Sequence, residues 1–164
     1  MRKNSAVSCN REKLPMNPIK LLLSSCLLCI VFVSNTVLAQ DRSYINPRHA
    51  SEPDVLPFSG AVLTGNTLYI SGMLGLVNGQ VPDDPAEEAR VLLDSIKATL
   101  EEAGMTMDDL VYVQIFCADV ADYDAFNNVY RSYFTQEFPA RAFLGSGTLL
   151  FGASFEMQSI AVKR

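Results

Sequence analysis

Residues 110–117 read LVYVQIFC, and this stretch decides the fold. It is strand-like, and both of its alternating sets of side chains are mostly apolar. One set contains Val111, Val113, Ile115 and Cys117, and the other contains Tyr112 and Phe116. A strand that is apolar on both faces needs cover on both sides of its sheet. We therefore predict a buried strand here, within a sheet that is covered on two sides.

Two helices flank this strand in the sequence. The first is predicted to begin at Pro85, because Asp84 is a good N-cap and proline suits the first helical position, and to end at Gly104. Its apolar residues recur at helical spacing: Ala89, Leu92, Leu93, Ile96, Leu100 and Ala103. The second begins near Asp122 and has an aromatic stripe: Tyr123, Phe126, Tyr130 and Phe134. Asn127 lies within that stripe, and we expect a neighbouring loop backbone to bind its amide, a structural role.

Four further strands complete the predicted domain. They are 58–63 and 67–73, joined as an antiparallel hairpin, and 141–144 and 154–162. The polar segment 41–56 precedes them, so the order is ββαβαββ and the class is α+β with a mixed sheet. Because each helix has a single apolar stripe, the two helices can cover only one face of the sheet. We expect the other face to meet identical chains in a closed symmetric assembly.

Residues 1–39 have the pattern of an export signal. Lys20 precedes the apolar run LLLSSCLLCIVFV at 21–33, and the sequence VLA ending at Ala39 offers small side chains to a signal peptidase. We predict that this segment is removed and that one domain over 40–164 is exported, to the periplasm or out of the cell. Such a domain would have no contact with the membrane after cleavage.

Alternatives to a cleaved signal remain open. The uncharged run 21–40 is long enough for a retained membrane anchor, and Cys26 is a candidate for lipidation. Met16 is a second candidate start. Cleavage would leave Cys117 as the single cysteine, so we expect no intrachain disulfide and a buried, structural thiol rather than a nucleophile. The domain would then contain one cysteine, Cys117, and one histidine, His49. These are too few ligands for a zinc-type site, so no metal site is predicted.

Charge separates the two parts of the chain. Five basic residues and one acidic residue precede position 40, so the net charge of -5 for the whole chain leaves -9 for 40–164. Phosphate backbones and anionic lipid surfaces require a positive surface. We therefore predict no nucleic-acid partner for the domain.

Two charged residues interrupt predicted strands, and each needs an explanation. Glu156 alternates with apolar neighbours in FEMQSIAV, and Arg141 directly follows FPA. A charge on a half-apolar strand is costly unless it is paired or hydrogen-bonded. Two interpretations remain open: the residues form a structural ion pair or lie at strand ends in water, or they serve a functional cleft.

Five stretches, taken together, resemble the Rid family, the reactive intermediate deaminases formerly called the YjgF type. They are PFSGAV at 57–62, GNTLYISG at 65–72, NNVY at 127–130, FPAR at 138–141 and FEMQSIAV at 155–162. No single stretch is specific, but their order and spacing span nearly all of 40–164. The resemblance implies a chorismate-mutase-like fold, a homotrimer whose sheets form a central barrel, and pockets at the subunit interfaces.

The resemblance also implies an activity. It indicates an enamine or imine deaminase of the 2-iminobutanoate/2-iminopropanoate type, a hydrolase that converts 2-imino acids, such as those derived from 2-aminoacrylate, to 2-keto acids and ammonia. No metal or organic cofactor is implied. On this resemblance Arg141 holds the substrate carboxylate, and Glu156 orients and deprotonates the attacking water with help from a backbone carbonyl near Phe143. Ser71 and Gly72 line the pocket.

Other matching positions refine the implied pocket. The family places the residue matching Asn127 near the ligand, whereas Phe58 stands where many members have a tyrosine. Met73-Leu74-Gly75 replaces the usual Gln-Ile-Pro, and Phe143 stands where cysteine is common. Phe58 and Met73 favour an alternative function, a non-enzymatic module of the same fold that binds small carboxylates or contacts other proteins.

Overall fold

The structure, a computed structural model, describes residues 41–46, 48 and 56–164. The predicted export signal and His49 lie outside these residues. The strands are β1 (Arg42–Ile45), β2 (Ala61–Thr64), β3 (Thr67–Leu74), β4 (Leu110–Cys117), β5 (Ala140–Gly145) and β6 (Phe155–Val162), and the helices are α1 (Pro85–Glu102) and α2 (Tyr123–Tyr130). Among these residues, no helix has the length and apolar character that a bilayer span requires.

The strands form one mixed sheet in the order β1-β2-β3-β6-β4-β5. Strands β4 and β5 are parallel, and the other neighbouring pairs are antiparallel. The α+β class and mixed sheet that the sequence predicted are thereby confirmed. Strand β6 lies between β3 and β4 in the middle of the sheet, and β5 lies at an edge.

Both helices cover the same face of the sheet, and their ends follow from the sequence. At the start of α1 the Asp84 side chain accepts a hydrogen bond from the Ala86 N–H at 3.1 Å, with Pro85 at the first position. Just past its end Gly104 has a φ of +68°, which glycine tolerates best. Alternate residues of β4 and β6 pack under these helices in one core: Val113, Ile115, Cys117, Phe155, Met157 and Ala161.

The opposite face of the sheet carries a row of apolar side chains. Paired positions run across the strands through Tyr44, Val62, Tyr69, Ile160 and Tyr112. The three tyrosines are 37–50% exposed in the single chain. This is the face that the sequence predicts to meet identical chains, a prediction that a single chain does not test.

Three details of the predicted strands are wrong. The strand predicted over 58–63 is β2, Ala61–Thr64, so Phe58 precedes it. Strand β1 lies inside the segment predicted to be polar and irregular, because Arg42–Ile45 pairs with β2 and buries Ile45. The order is therefore βββαβαββ. Alternation grouped Val111 with three residues that are fully buried, Val113, Ile115 and Cys117, whereas Val111 itself is 45% exposed. The pairing of β4 with β6 shifts register between Leu110 and Tyr112, which breaks the alternation there.

Candidate active site

Arg141 lies on the edge strand β5, where aromatic rings surround its guanidinium group. The guanidinium carbon is 4.8 Å from the ring centre of Tyr130, 5.7 Å from that of Phe143 and 5.9 Å from that of Tyr123. Aromatic faces attract a cation and so hold this group in place. A cavity of about 260 Å³ opens beside it, and its lining consists of Tyr123, Asn127, Tyr130, Arg131, Phe138, Pro139 and Arg141. We call it the arginine cavity.

Three donors in the arginine cavity have no hydrogen-bond partner within the described part of the chain. The guanidinium of Arg141 forms no ion pair and donates no hydrogen bond to any described residue. The Nδ2 of Asn127 and the hydroxyl of Tyr130 also lack partners, although both residues are only 3% exposed. The loop backbone partner predicted for the Asn127 amide is therefore wrong for Nδ2. Buried unpaired donors are costly, so this cavity is suited to a ligand that accepts hydrogen bonds.

Burial keeps the Tyr130 hydroxyl in its protonated form. It raises the pKa of Tyr130 to about 12, even though the positive charge of Arg141 works in the opposite direction. The group is therefore a neutral donor at neutral pH. The guanidinium fork of Arg141, in the lining of the same cavity, suits the planar, two-oxygen geometry of a carboxylate.

Glu156 faces a second and larger cavity of about 590 Å³, which we call the glutamate cavity. Its lining consists of Leu56, Phe58, Ser71, Gly72, Leu74, Leu76, Leu150, Phe151, Glu156 and Gln158. Glu156 is the single ionisable residue among these lining residues. Its carboxylate is thus the acceptor available in this cavity for a proton from water.

The carboxylate of Glu156 rests directly against a glycine. A Cβ atom on Gly72 would lie 2.0 Å from Glu156 Oε1, so a side chain at this position would displace the carboxylate. The adjacent Ser71 donates its hydroxyl to the Ser59 carbonyl at 2.7 Å, which fixes the strand beside the cavity. Both residues lie where the β3–β6 register shifts, between Ile70 and Met73.

The arginine and glutamate cavities lie on opposite faces of the sheet. Arg141 contacts Tyr123 and Tyr130 of α2, so it is on the helix-covered face. Glu156 lies between Phe155 and Met157, which are fully buried on that face, and alternation therefore directs Glu156 to the other. The two linings have no described residue in common, and a structural ion pair between the two charged groups is not formed. Within one chain, a small ligand cannot touch both groups.

The predicted site residues therefore fall into two sets. Arg141, Asn127 and Phe143 form one set, in which the Phe143 ring contacts the guanidinium and packs edge-on against Tyr123 at 4.9 Å. The other set contains Phe58, Ser71, Gly72 and Glu156. Cys117 is fully buried and donates to the Asp119 carbonyl, as expected of a structural thiol.

Sequence reasoning missed residues in both cavities. Tyr130 could have been found, because it follows Asn127 by three positions and so shares its helix face. Leu150 and Phe151 could not, because they lie in an irregular turn between β5 and β6 where no periodicity operates. They are 69% and 73% exposed and form the apolar rim of the glutamate cavity.

Comparison with known proteins identifies the family. The family model described as "Endoribonuclease L-PSP" matches residues 49–163. The 2-iminobutanoate/2-iminopropanoate deaminase of Capra hircus is 41% identical over 110 residues, covering 65% of this chain and 80% of that protein. In the crystal structure of the YjgF gene product from E. coli, the matching chain is 31% identical with a TM-score of 0.66, over 74% of this chain and all of that one. RidA from the Antarctic bacterium Psychrobacter sp. PAMC 21119 is 32% identical with a TM-score of 0.62, over 66% of this chain and 89% of that one. The resemblance and the chorismate-mutase-like fold are confirmed, and the chain belongs to the endoribonuclease L-PSP family, which includes the Rid and YjgF proteins.

Proposed function

We propose that the protein is an imine deaminase that hydrolyses 2-imino acids to 2-keto acids and ammonia. The observation that carries this proposal is the arginine cavity, whose lining residues Arg141, Asn127 and Tyr130 carry donors with no hydrogen-bond partner among the described residues. The deaminase named above, with 41% identity, supports the same reaction class. A protonated imine is already electrophilic, so the site has mainly to hold it and to supply water and a base.

In the proposed reaction Arg141 binds the substrate carboxylate, and Glu156 orients and deprotonates the attacking water. Glu156 takes a proton from water as the oxygen bonds to the imine carbon. This gives a carbinolamine, and Glu156 then passes the proton to its nitrogen. As the carbon–nitrogen bond breaks and ammonia leaves, Glu156 takes the remaining hydroxyl proton, so that a keto group forms, and this proton then passes to the departing ammonia or to solvent. The backbone carbonyl of Phe143, which the family resemblance implicates, would help to orient the water.

The proposed site is completed by a second copy of the chain. One chain carries Arg141 and Glu156 on opposite faces of its sheet, so the substrate needs the arginine cavity of one copy and the glutamate cavity of another. The apolar tyrosine row on the uncovered face supports association through that face. We therefore propose the homotrimer with a central barrel.

The lining of the glutamate cavity favours substrates with apolar side chains. Six of its lining residues are apolar: Leu56, Phe58, Leu74, Leu76, Leu150 and Phe151. A charged substrate side chain would lose its hydration there without compensation.

RNA is a poor candidate substrate, although the family model is described as an endoribonuclease, because the net charge of 40–164 is -9.

We also propose that residues 1–39 direct export and are removed, which would place the domain in the periplasm or outside the cell. The apolar run at 21–33 and the VLA sequence before Gln40 support this proposal. Mass spectrometry of the protein from its native host tests it. A mature chain beginning at Gln40 is expected, and recovery of the full-length chain alone would refute cleavage.

The proposed deaminase activity is tested with imines that are generated in situ. A 2-amino acid oxidase supplies fresh imine to the purified domain, and keto-acid formation is followed. We expect Arg141→Ala to lower kcat/KM at least about 100-fold, because a charge-assisted two-pronged contact is lost. Arg90→Ala is the matched control, since Arg90 is exposed and pairs with Glu87 on α1. Equal turnover by both variants would reject the proposed role of Arg141.

One observation favours the alternative of a non-enzymatic binding module. Phe58 brings no hydroxyl to the glutamate cavity, so Glu156 has little polar support there. A binding module would bind a 2-keto acid, measured by calorimetry, without accelerating imine hydrolysis in the oxidase assay. Acceleration that depends on Arg141 and Glu156 would instead establish the enzyme.

A further inference from the structure

Glu88 is the one charged residue that is fully buried in the described part of the chain, and the proposed reaction does not use it. It lies in the first turn of α1. Its Oε1 accepts hydrogen bonds from the N–H groups of Ser154 at 2.8 Å and Phe155 at 3.0 Å. These two amides immediately precede Glu156. A single carboxylate oxygen therefore ties the helix layer to the start of the strand that carries Glu156.

Glu88 also contacts the other strand of the glutamate cavity. A Cβ atom on Gly75 would lie 2.2 Å from the Glu88 carbonyl oxygen and 2.9 Å from its Cγ, so the chain can pass this close only with glycine there. The preceding residue, Leu74, pairs with Glu156 and lines the cavity. Glu88 thus touches the ends of both β3 and β6 where they enclose Glu156.

The turn before β6 depends on the same anchor. The Ser154 carbonyl accepts a hydrogen bond from the Ala118 N–H at 2.9 Å, so Ser154 is held on both sides. A few residues earlier, Phe151 has a φ of +59°, a conformation that a non-glycine residue keeps only when its surroundings fix it. Phe151 lines the glutamate cavity. Ser154, which Glu88 binds, follows Phe151 by three residues and joins this rim of the cavity to β6.

We propose that Glu88 is a positioning residue that fixes the carboxylate of Glu156 for its reaction with water. This inference rests on the proposed function, because the placement of Glu156 matters to turnover only if Glu156 activates water. The acceptor Oε1 carries the role, since Oε2 has no partner among the described residues. Glutamine keeps an acceptor oxygen in the same place, so Glu88→Gln should preserve the positioning role. Methionine has no such oxygen, so Glu88→Met should lose it.

The kinetic test separates positioning from a general loss of stability. Glu88→Met is expected to lower kcat about 10- to 100-fold, because small displacements of a reacting group are costly. Its KM should stay within about threefold of the wild-type value, because the arginine cavity is on the other face. Glu88→Gln should restore kcat to within about threefold of wild type. Ile96→Ala, which also removes a fully buried side chain from α1, should lower Tm while the folded protein keeps its kcat.

Two outcomes would overturn the proposal. One is an equal fall of kcat in Glu88→Met and Ile96→Ala at a temperature where both are folded, and the other is a rise in KM with kcat unchanged. If Glu88→Met does not fold, Glu88→Asp serves instead, because it retains the charge but withdraws the acceptor by one methylene group. The expected loss of kcat is then the same, and wild-type kcat in Glu88→Asp would reject the role.

A readout that needs no activity separates this proposal from the proposed function. In Glu88→Met, or in Glu88→Asp, amide hydrogen exchange over 154–157 should accelerate at least about tenfold, while the amides of α2 beside Arg141 keep their rates. If the wild-type protein hydrolyses no imine, the proposed function fails, yet the exchange result still decides whether Glu88 holds the Glu156 segment. Unchanged exchange over 154–157 would overturn the anchoring role itself.

Discussion

The half-buried Arg141 has aromatic neighbours instead of a carboxylate partner. The rings of Tyr123, Tyr130 and Phe143 surround its guanidinium carbon, and its N–H groups donate to no described residue. A carboxylate partner would satisfy those donors permanently and compete with a ligand. The aromatic surroundings therefore orient the cation and keep it available for a substrate carboxylate.

The Tyr130 hydroxyl should strengthen this binding without contributing to folding. In Tyr130→Phe the affinity for a 2-keto acid, measured by calorimetry, is expected to fall about 5- to 10-fold, which corresponds to one hydrogen bond to a charged group. Because the hydroxyl has no partner among the described residues, its removal should leave Tm unchanged or slightly higher. A loss of Tm comparable to that of a core deletion would contradict this assignment.

The same hydroxyl gives the binding a defined pH dependence. The pKa of Tyr130 is raised to about 12, so the hydroxyl stays protonated and donates through pH 10. Affinity for the keto acid should therefore be flat from about pH 7 to 10, since arginine also keeps its charge there. The free energy of unfolding, by contrast, should be unaffected by Tyr130 below pH 10 and should fall as the pH rises from about 10 towards 12, because the unfolded tyrosine ionises at its ordinary pKa near 10 while the buried one stays protonated. A fall in affinity between pH 8 and 10 that disappears in Tyr130→Phe would contradict the raised pKa.

At the scale of elements, the sequence predicted those helix and strand limits that depend on local features such as helix caps and apolar patterning. The start of α1 at Pro85 and the whole of Leu110–Cys117 follow from capping and from apolar patterning. Strand β1 was missed because four residues with a charged member carry too weak a pattern, and only pairing with β2 makes them a strand. Similarly, the exposure of Val111 depends on a register shift against β6, which no local pattern encodes.

The candidate site was predictable to the same extent. Alternation along Phe155–Val162 correctly assigned Glu156 to the face opposite Phe155 and Met157. That Arg141 lies under α2 depends on β5 joining the sheet edge parallel to β4, which is a tertiary result. The separation of the two charged groups therefore emerged only with the fold.

The register shift between β3 and β6 leads to a further prediction, which concerns Gly72. Gly72 lies at the register shift, and an added Cβ would meet the flexible end of Glu156 at 2.0 Å. In Gly72→Ala the carboxylate can swing away at little cost to the fold, so Tm should change little while kcat falls about 100-fold. In a Glu156→Gln background the same substitution should have almost no further effect on the residual rate. Additive losses would show that Gly72 acts by some route other than Glu156.

At the scale of the whole molecule, the two faces of the sheet have different tasks. The helix-covered face holds the core and the arginine cavity, and the uncovered face carries the tyrosine row and the glutamate cavity. Since a substrate must meet both charged groups, assembly and chemistry are coupled in the proposed trimer. Dissociation should abolish turnover even if each separate chain stays folded.

Mixed oligomers test this coupling directly. Arg141→Ala and Glu156→Gln, each inactive alone, are co-expressed with different tags, and complexes carrying both tags are purified. If each site takes its arginine from one chain and its glutamate from the next around a three-membered ring, every mixed trimer contains one intact site. Its kcat per trimer should be about one third of the wild-type value, with an unchanged KM, because closed rotational symmetry gives three equivalent sites. Doubly tagged trimers of Arg141→Ala alone are the control and should stay inactive. If the mixed trimers also remain inactive while folded and trimeric, the two residues do not act across an interface, and the shared site is rejected.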